Sequence, residues 1–212
     1  ISVTLVESPD VSTIGVGEGS WPTLRRTLAS IGISEADFLL ECDASFKQGT
    51  RFCGWRNGSP EDVYFHPFTS PGDGDPRQAL AVWREAACKQ RFDLAVTPQP
   101  SVCQHHLAPK NRGMPEYSGA LNYGYHLDAG KLAAMLCRHA TGKLRVSHVR
   151  AHITGFERTR MGDIAAVLTK DGEAITGDLF IDCSGHNALL IGGELEVPFV
   201  SRSNTLPNDR AL

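Results

Sequence analysis

Gly15-Val16-Gly17-Glu18-Gly19-Ser20-Trp21-Pro22-Thr23 is the stretch on which the fold turns. Its closely spaced glycines let the main chain approach a ligand and turn N–H groups toward it. Ser20 and Pro22 then suit the N-cap and first turn of a helix. A loop entering a helix this way favours an anion or the electron-rich edge of a ring. Taken alone, the pattern fits plain loop geometry as well as a ligand site.

The preceding residues supply a context. Ile1 to Val6 is an apolar, β-branched run of strand length, with Glu7 at its end before the breaker Pro9. In a dinucleotide-binding fold an acid at the end of the second strand accepts hydrogen bonds from the adenosine ribose hydroxyls. A solvated acid at a strand end is the competing reading of Glu7. If Ile1–Val6 is that second strand, the first strand and its Gly-x-Gly-x-x-Gly turn are expected upstream of Ile1.

A chain of 212 residues can bury a full core. With 21 basic against 24 acidic side chains, the net charge of −3 gives no broad footprint for nucleic acid or an anionic membrane. No apolar run approaches the roughly 20 residues of a membrane span, so a cytoplasmic location is expected. The cysteines at 42, 53, 88, 103, 137 and 183 show no framework spacing and read as reduced, mostly buried thiols. Cys103-Gln104-His105-His106 lacks a second cluster at ligand spacing, and no metal site is expected.

Downstream, Leu24, Leu28 and Ile31 share a helical face that Gly32 stops, and Ser34-Glu35-Ala36-Asp37 reads as a capping box opening a second short helix. Gly49 to Trp55 reads as a strand. Residues 57–76, rich in Gly, Pro, Asp and Ser around Tyr64-Phe65-His66-Pro67-Phe68, read as a long loop. A helix over 77–91 with Leu80, Trp83 and Ala87 on one face comes next, then an irregular stretch to Tyr117 and a strand over 121–126. Asp128 caps a helix with Leu132, Met135 and Leu136 inward, ended by Gly142. Short strands over 146–153, 156–158, 164–169 and 174–176 form an antiparallel meander, and 177–185 reads as a parallel strand returning to a ligand crevice at Asp182.

Five pieces occur in one order: Val6-Glu7-Ser8, the Gly15–Thr23 loop, Phe46-Lys47-Gln48-Gly49 with Phe52 and Trp55, Tyr125-His126-Leu127-Asp128-Ala129, and Asp178-Leu179-Phe180-Ile181-Asp182-Cys183-Ser184-Gly185. This order resembles the flavin-dependent (tryptophan) halogenase family across essentially the whole chain. The resemblance implies an α/β, Rossmann-like FAD-binding fold of the flavin monooxygenase type. It comprises a parallel sheet, a small antiparallel β-meander and flanking helices. One partial FAD-binding and halogenase domain over 1–212, truncated at both ends, is expected, without the first strand upstream or the helical substrate-capping region downstream.

Further roles follow from the resemblance. Glu7 matches the ribose-binding acid; Gly15, Val16, Gly17, Glu18 and Gly19 match the loop covering the flavin; Val149 and Ala151 fall near the adenine; Asp182, Ser184 and Gly185 match the strand end on the flavin side. After Gly185, His186-Asn187-Ala188 departs from the Phe-Arg or Met-Arg common in the family. FAD is implied as FADH2 from a separate, transiently bound flavin reductase, with a halide ion as co-substrate. Lys47 matches the catalytic lysine that passes electrophilic chlorine or bromine from hypohalous acid to a small aromatic substrate, an indole or another electron-rich ring. His66 and Phe68 match residues lining the substrate pocket.

Read from the residues alone, Lys47 is a strand-edge lysine with its head in water, and the two aromatics are loop side chains packed on a core. His126 reads as a structural histidine beside a helix cap. The family's Trp-x-Trp-x-Ile-Pro motif and the glutamate paired with the lysine belong downstream of Leu212, so these residues alone are expected to bind FAD poorly and not to halogenate. Besides the halogenase, two readings stay open: a related FAD-dependent monooxygenase or oxidoreductase without halogenation, and a catalytically silent fragment.

Overall fold

Helix and strand formation in this chain follows local chemistry closely, and the points of departure are few. A computed structural model describes residues 1–11, 18–72, 75–86 and 89–208. Along the chain come β1 (Thr4–Glu7), β2 (Glu18–Gly19), α1 (Thr23–Ser30), α2 (Glu35–Glu41), β3 (Ser45–Lys47), β4 (Gly49–Cys53), β5 (Val63–Pro67) and α3 (Pro76–Glu85). There follow α4 (Phe92–Val96), α5 (Gln99–Gln104), β6 (Gly124–Leu127), α6 (Ala129–Gly142), β7 (Ser147–Arg150), β8 (Ile153–Arg158), β9 (Ile164–Thr169) and β10 (Ala174–Thr176). The chain divides into two units, Ile1–Ser12 with Ser147–Leu212, and Thr13–Val146.

In the unit Thr13–Val146, β6 is the central strand of a three-stranded antiparallel sheet ordered β2-β6-β3. Its buried Tyr123, Tyr125 and Leu127 meet Leu28, Ile33, Phe38, Cys42 and Met135 from the loop and helices around it, forming one apolar cluster. Phe38 packs edge-on to Tyr125 at 4.8 Å, a pair whose truncation to alanine costs about 3–5 kcal/mol. The expected caps of the later helices are present: the Ser34 hydroxyl accepts the Asp37 N–H, and Asp128 accepts that of Lys131. Gly32, at φ +78°, stops α1 as expected.

Ser20, by contrast, does not cap α1. Its hydroxyl accepts the Tyr125 N–H at 3.0 Å and so serves the sheet, while α1 begins after Pro22 without a side-chain cap. The expected loop over 57–76 contains β5, paired antiparallel with β4 from Gly49↔Pro67 to Cys53↔Val63. Its aromatic run is strand-forming, and Tyr64 stacks on Phe52 at 4.9 Å. The helix expected over 77–91 is α3, shorter by several residues; Ala87 lies outside the described residues. Two short helices, α4 and α5, interrupt the stretch expected to be irregular.

The other unit holds a parallel pair, β1 with β7, in register from Thr4↔Ser147 to Glu7↔Arg150, and the antiparallel meander β8-β9-β10. The strand expected over 146–153 is thus two strands, broken at Ala151 and His152. Residues 177–183 are not a paired strand: among the described residues nothing supplies ladder partners, and Leu179 and Ile181 are 80% and 78% exposed. An apolar run makes a strand only where a neighbouring edge satisfies its backbone. Of the thiols, Cys42 is buried but Cys53 and Cys183 are exposed, which corrects the expectation of mostly buried cysteines.

Candidate functional site

Lys47 ends β3 opposite Gly124 on β6. Its side chain reaches β2, on the other side of β6, where Nζ lies 3.4 Å from the Gly19 carbonyl and a Cβ on Gly19 would stand 2.7 Å from Nζ. A Cβ on Gly124 would stand 2.6 Å from the Ser20 carbonyl oxygen, so only glycine lets the Ser20 main chain pass this close. The ammonium lies 5.9 Å from the Trp21 ring centre and 5.7 Å from that of Phe68, and the two rings meet at 5.6 Å. Such contacts contribute about 0.5–1 kcal/mol each at a partly exposed site. Among the described residues no carboxylate is ion-paired with Lys47.

Phe68 owes its place to its main chain. Its N–H donates to the Gln48 carbonyl at 3.1 Å, and its carbonyl accepts from Asn122 Nδ2 at 2.9 Å. The next N–H, of Thr69, donates to Oε1 of the fully buried Gln99 at 2.7 Å, and Gln99 Nε2 donates to the Asn122 carbonyl at 2.6 Å. Gln48 follows Lys47 directly, so this clamp fixes the Phe68 ring relative to the lysine. The hairpin beginning at Gly49 depends on that glycine: its φ is +148°, and a Cβ there would lie 2.4 Å from the His66 carbonyl oxygen. His66 itself is exposed on β5 and lines an open groove of about 540 Å³ with Phe52, Tyr64 and Phe92, whereas Phe68 packs at the lysine.

Beneath the sheet, Glu35 organises the buried polar groups. Its Oε1 accepts from the Tyr123 and Tyr125 hydroxyls at 2.6 and 2.7 Å, and its Oε2 from Lys110 Nζ and the Tyr117 N–H at 2.6 and 2.7 Å. Burial raises the pKa of this carboxyl, but the hydrogen bonds from Lys110, Tyr123, Tyr125 and Tyr117 outweigh it and hold the acid below its ordinary range. Burial and the bond to Glu35 push both phenols upward, and burial raises Tyr117 to about 12. Glu18 and Gly19, on β2, line an open apolar groove of about 340 Å³ with Leu24, Leu127, Leu132 and Leu136.

The residues expected at the nucleotide fall in the other unit, except for the glycine loop. Glu7 ends β1 with its carboxylate half exposed, and its Oε2 meets His148 Nε2 at 2.8 Å. The parallel ladder sets Val6 beside Val149, and the Ala151 N–H donates to the Glu7 carbonyl at 3.0 Å, so Glu7, Val149 and Ala151 share one strand edge. Asp182 accepts from the Ser184 N–H and hydroxyl at 3.0 and 2.6 Å and from the Leu190 N–H at 2.9 Å, capping the turn through Gly185. Burial raises its pKa, but these bonds, led by those from Ser184, leave it below its ordinary range. Gly15, Val16 and Gly17 lie outside the described residues.

Trp21, Gln99, Asn122 and Glu35 are the site-forming residues that sequence reasoning did not single out for a role. Trp21 stands inside the quoted loop motif, where its indole was the available signal. The bonds of Gln99 and Asn122 bridge distant segments and leave no local mark.

The family model described as tryptophan halogenase matches residues 1–212. The tryptophan 7-halogenase KtzQ of Kutzneria sp. (strain 744) is 32% identical over 100% of this chain and 42% of its own length. A crystal structure of a tryptophan halogenase from Shewanella frigidimarina NCIMB 400 superposes with a TM-score of 0.88 at 45% identity, covering 97% of this chain and 40% of that one. Xcc4156, a flavin-dependent halogenase from Xanthomonas campestris, gives 0.79 at 34% identity, over 93% of this chain and 39% of its own. The chain thus spans less than half the length of these relatives. Among the described residues no helix is long and apolar enough to cross a membrane. By the match along its whole length, the chain belongs to the tryptophan halogenase family.

Proposed function

We propose that this chain carries the halogen-delivering lysine and the nucleotide-binding edge of an FADH2-dependent halogenase that places chlorine or bromine on an indole or another electron-rich arene. The observation that carries the reading is the Lys47 ammonium, 5.9 and 5.7 Å from the Trp21 and Phe68 ring centres, on the strand that bears the family's lysine motif. Flavin-dependent halogenases named as such among its structural relatives supply the cofactor class.

The residues present fit that cofactor. Glu7 offers a half-exposed carboxylate at the carboxyl end of a parallel strand pair, an acceptor suited to vicinal ribose hydroxyls, beside Val149 and Ala151 for the adenine. Glu18 and Gly19 present main chain beside an open apolar groove, and Asp182 holds the Ser184–Gly185 turn in place. When bound, FADH2 from a flavin reductase would supply the electrons that reduce oxygen to the peroxide level, at which it oxidises a halide ion to hypohalous acid. Lys47 acts on that acid. As an ammonium it donates a hydrogen bond to the hypohalous oxygen and makes the halogen more electrophilic; as the free amine its lone pair takes the halogen, with water leaving, and passes it to carbon. Phe68 orients the arene so that one ring carbon meets the lysine.

The test is product analysis of the full gene product with FAD, flavin reductase, NADH, oxygen and either chloride or bromide. Tryptophan, indole and pyrrole are offered in turn. Halogenated product by mass spectrometry is the expected result. Oxygenated product without halogen would move the protein to the flavin monooxygenases instead.

A further inference from the structure

We propose that Trp21 is itself an acceptor of halogen from Lys47, a site at which the protein is modified when no aromatic substrate stands over the lysine. The inference rests on the reading of Lys47 as the halogen-bearing amine, and goes beyond it to a residue that reading does not use.

Three observations carry it. The Trp21 ring centre is 5.9 Å from Lys47 Nζ, and the ring is 63% exposed, so reagent and lysine both reach it. Phe68 is as near, at 5.7 Å, but a benzene ring without a donor substituent is a far poorer nucleophile toward electrophilic halogen than an indole. The phenols that could compete are turned away: Tyr123 and Tyr125 are fully buried, with their hydroxyls on Glu35. Among the rings gathered around the lysine, Trp21 therefore combines proximity with reactivity.

The chemistry balances. Hypohalous acid and the Lys47 amine give the haloamine and water, with an N–H bond broken and an N–X bond formed. The indole carbon of Trp21 then takes the halogen from nitrogen, and the ring proton lost on rearomatisation returns to the amine. Lysine is regenerated and a C–H bond has become C–X. A reactive amine held at one ring raises the local effective concentration far above that of reagent in solution.

Trp55 supplies the internal control. It is 74% exposed, more open than Trp21, and packs edge-on to Phe52 at 5.2 Å, away from the lysine's ring pair. Diffusion alone therefore marks Trp55 first. In the test, the purified protein, its exposed Cys53 and Cys183 alkylated, receives hypobromous acid in increments past oxidation of the exposed Met161. Peptide mass spectrometry then reads the bromine isotope pattern at each tryptophan.

We expect Trp21 to carry more bromine than Trp55, and the Trp21-to-Trp55 ratio to fall about tenfold in Lys47→Met, which keeps the stem and removes the amine. In Trp21→Phe the bromine should persist on nitrogen, detected as longer-lived oxidation of iodide by the protein. A ratio unchanged by Lys47→Met, or Trp55 labelled ahead of Trp21 in the wild type, would overturn the proposal. No flavin enters this test, so its failure is separable from failure of FADH2-dependent turnover in the full gene product.

Discussion

Lys47 and Phe68 rest on a buried scaffold, whereas Glu7 and Asp182 belong to a unit with little buried apolar surface. In Thr13–Val146 the sheet is backed by Leu28, Phe38, Tyr123, Tyr125 and their neighbours, and its polar groups converge on Glu35 and Gln99. In the other unit Ala166 and Val167 are the buried apolar side chains among the described residues, and the candidate residues are held by strand register and short turns. On the proposed function, the first arrangement positions a reacting side chain, which tolerates little displacement. The second presents backbone edges and a carboxylate, which suits an extended ligand. Substitutions in the first should therefore move stability and function together, and in the second function with little change in stability.

The largest expected effect is at Glu35. Glu35→Ala leaves Lys110 and two buried phenols without their acceptor, and should cost about 3–5 kcal/mol in denaturant unfolding. Because the folded-state pKa of Glu35 lies below its ordinary value of 4.5, its stabilising contribution is present above that pH and is lost as pH falls through the lower folded value. Glu35→Gln should flatten the acid limb of the stability profile below about pH 4.5. A limb of unchanged slope would break the comparison at its base.

Gly49→Ala comes next. The clash with the His66 carbonyl and the positive φ predict a loss of about 1–3 kcal/mol, with the hairpin amides exchanging faster by hydrogen exchange. Gln99→Leu strands the Thr69 N–H and the Asn122 carbonyl, at about 1–3 kcal/mol for each such buried group. It should also change the ratio of halogenated regioisomers in the full gene product, which loss of stability alone would not do. Glu7→Gln sharpens the other side: FAD should bind about ten- to a hundredfold more weakly by titration, as expected for losing a charged acceptor. Stability should move by about 0.5 kcal/mol or less.

The parts of the fold legible in sequence were those set by neighbouring residues. Ser34 and Asp128 announce their helices because caps act over three residues, and Gly32 ends α1 because it alone takes a positive φ there without strain. Residues 57–76 misled because β5 is short and its composition is diluted by Gly, Pro and Asp on both sides; the strand exists by pairing with β4. Residues 177–183 misled in the opposite sense, having the apolar run without the partner. Within the candidate site, Lys47 was singled out by motif order and Phe68 by the resemblance, and the structure sets the lysine Nζ 5.7 Å from that ring centre. The Gln99–Asn122 clamp was not legible, since Gln99, Asn122 and the adjacent Phe68 and Thr69 come from three distant segments that only folding brings together.

In the proposed function, halogen passes through the amine of Lys47. The most direct check is the amount of halogenated product formed per NADH consumed, in the full gene product and in its Lys47→Met variant. NADH oxidation should continue in the variant while halogenated product falls by about a hundredfold or more, the scale expected for loss of a positioned reacting group. Halogenation at the wild-type ratio in Lys47→Met would contradict it.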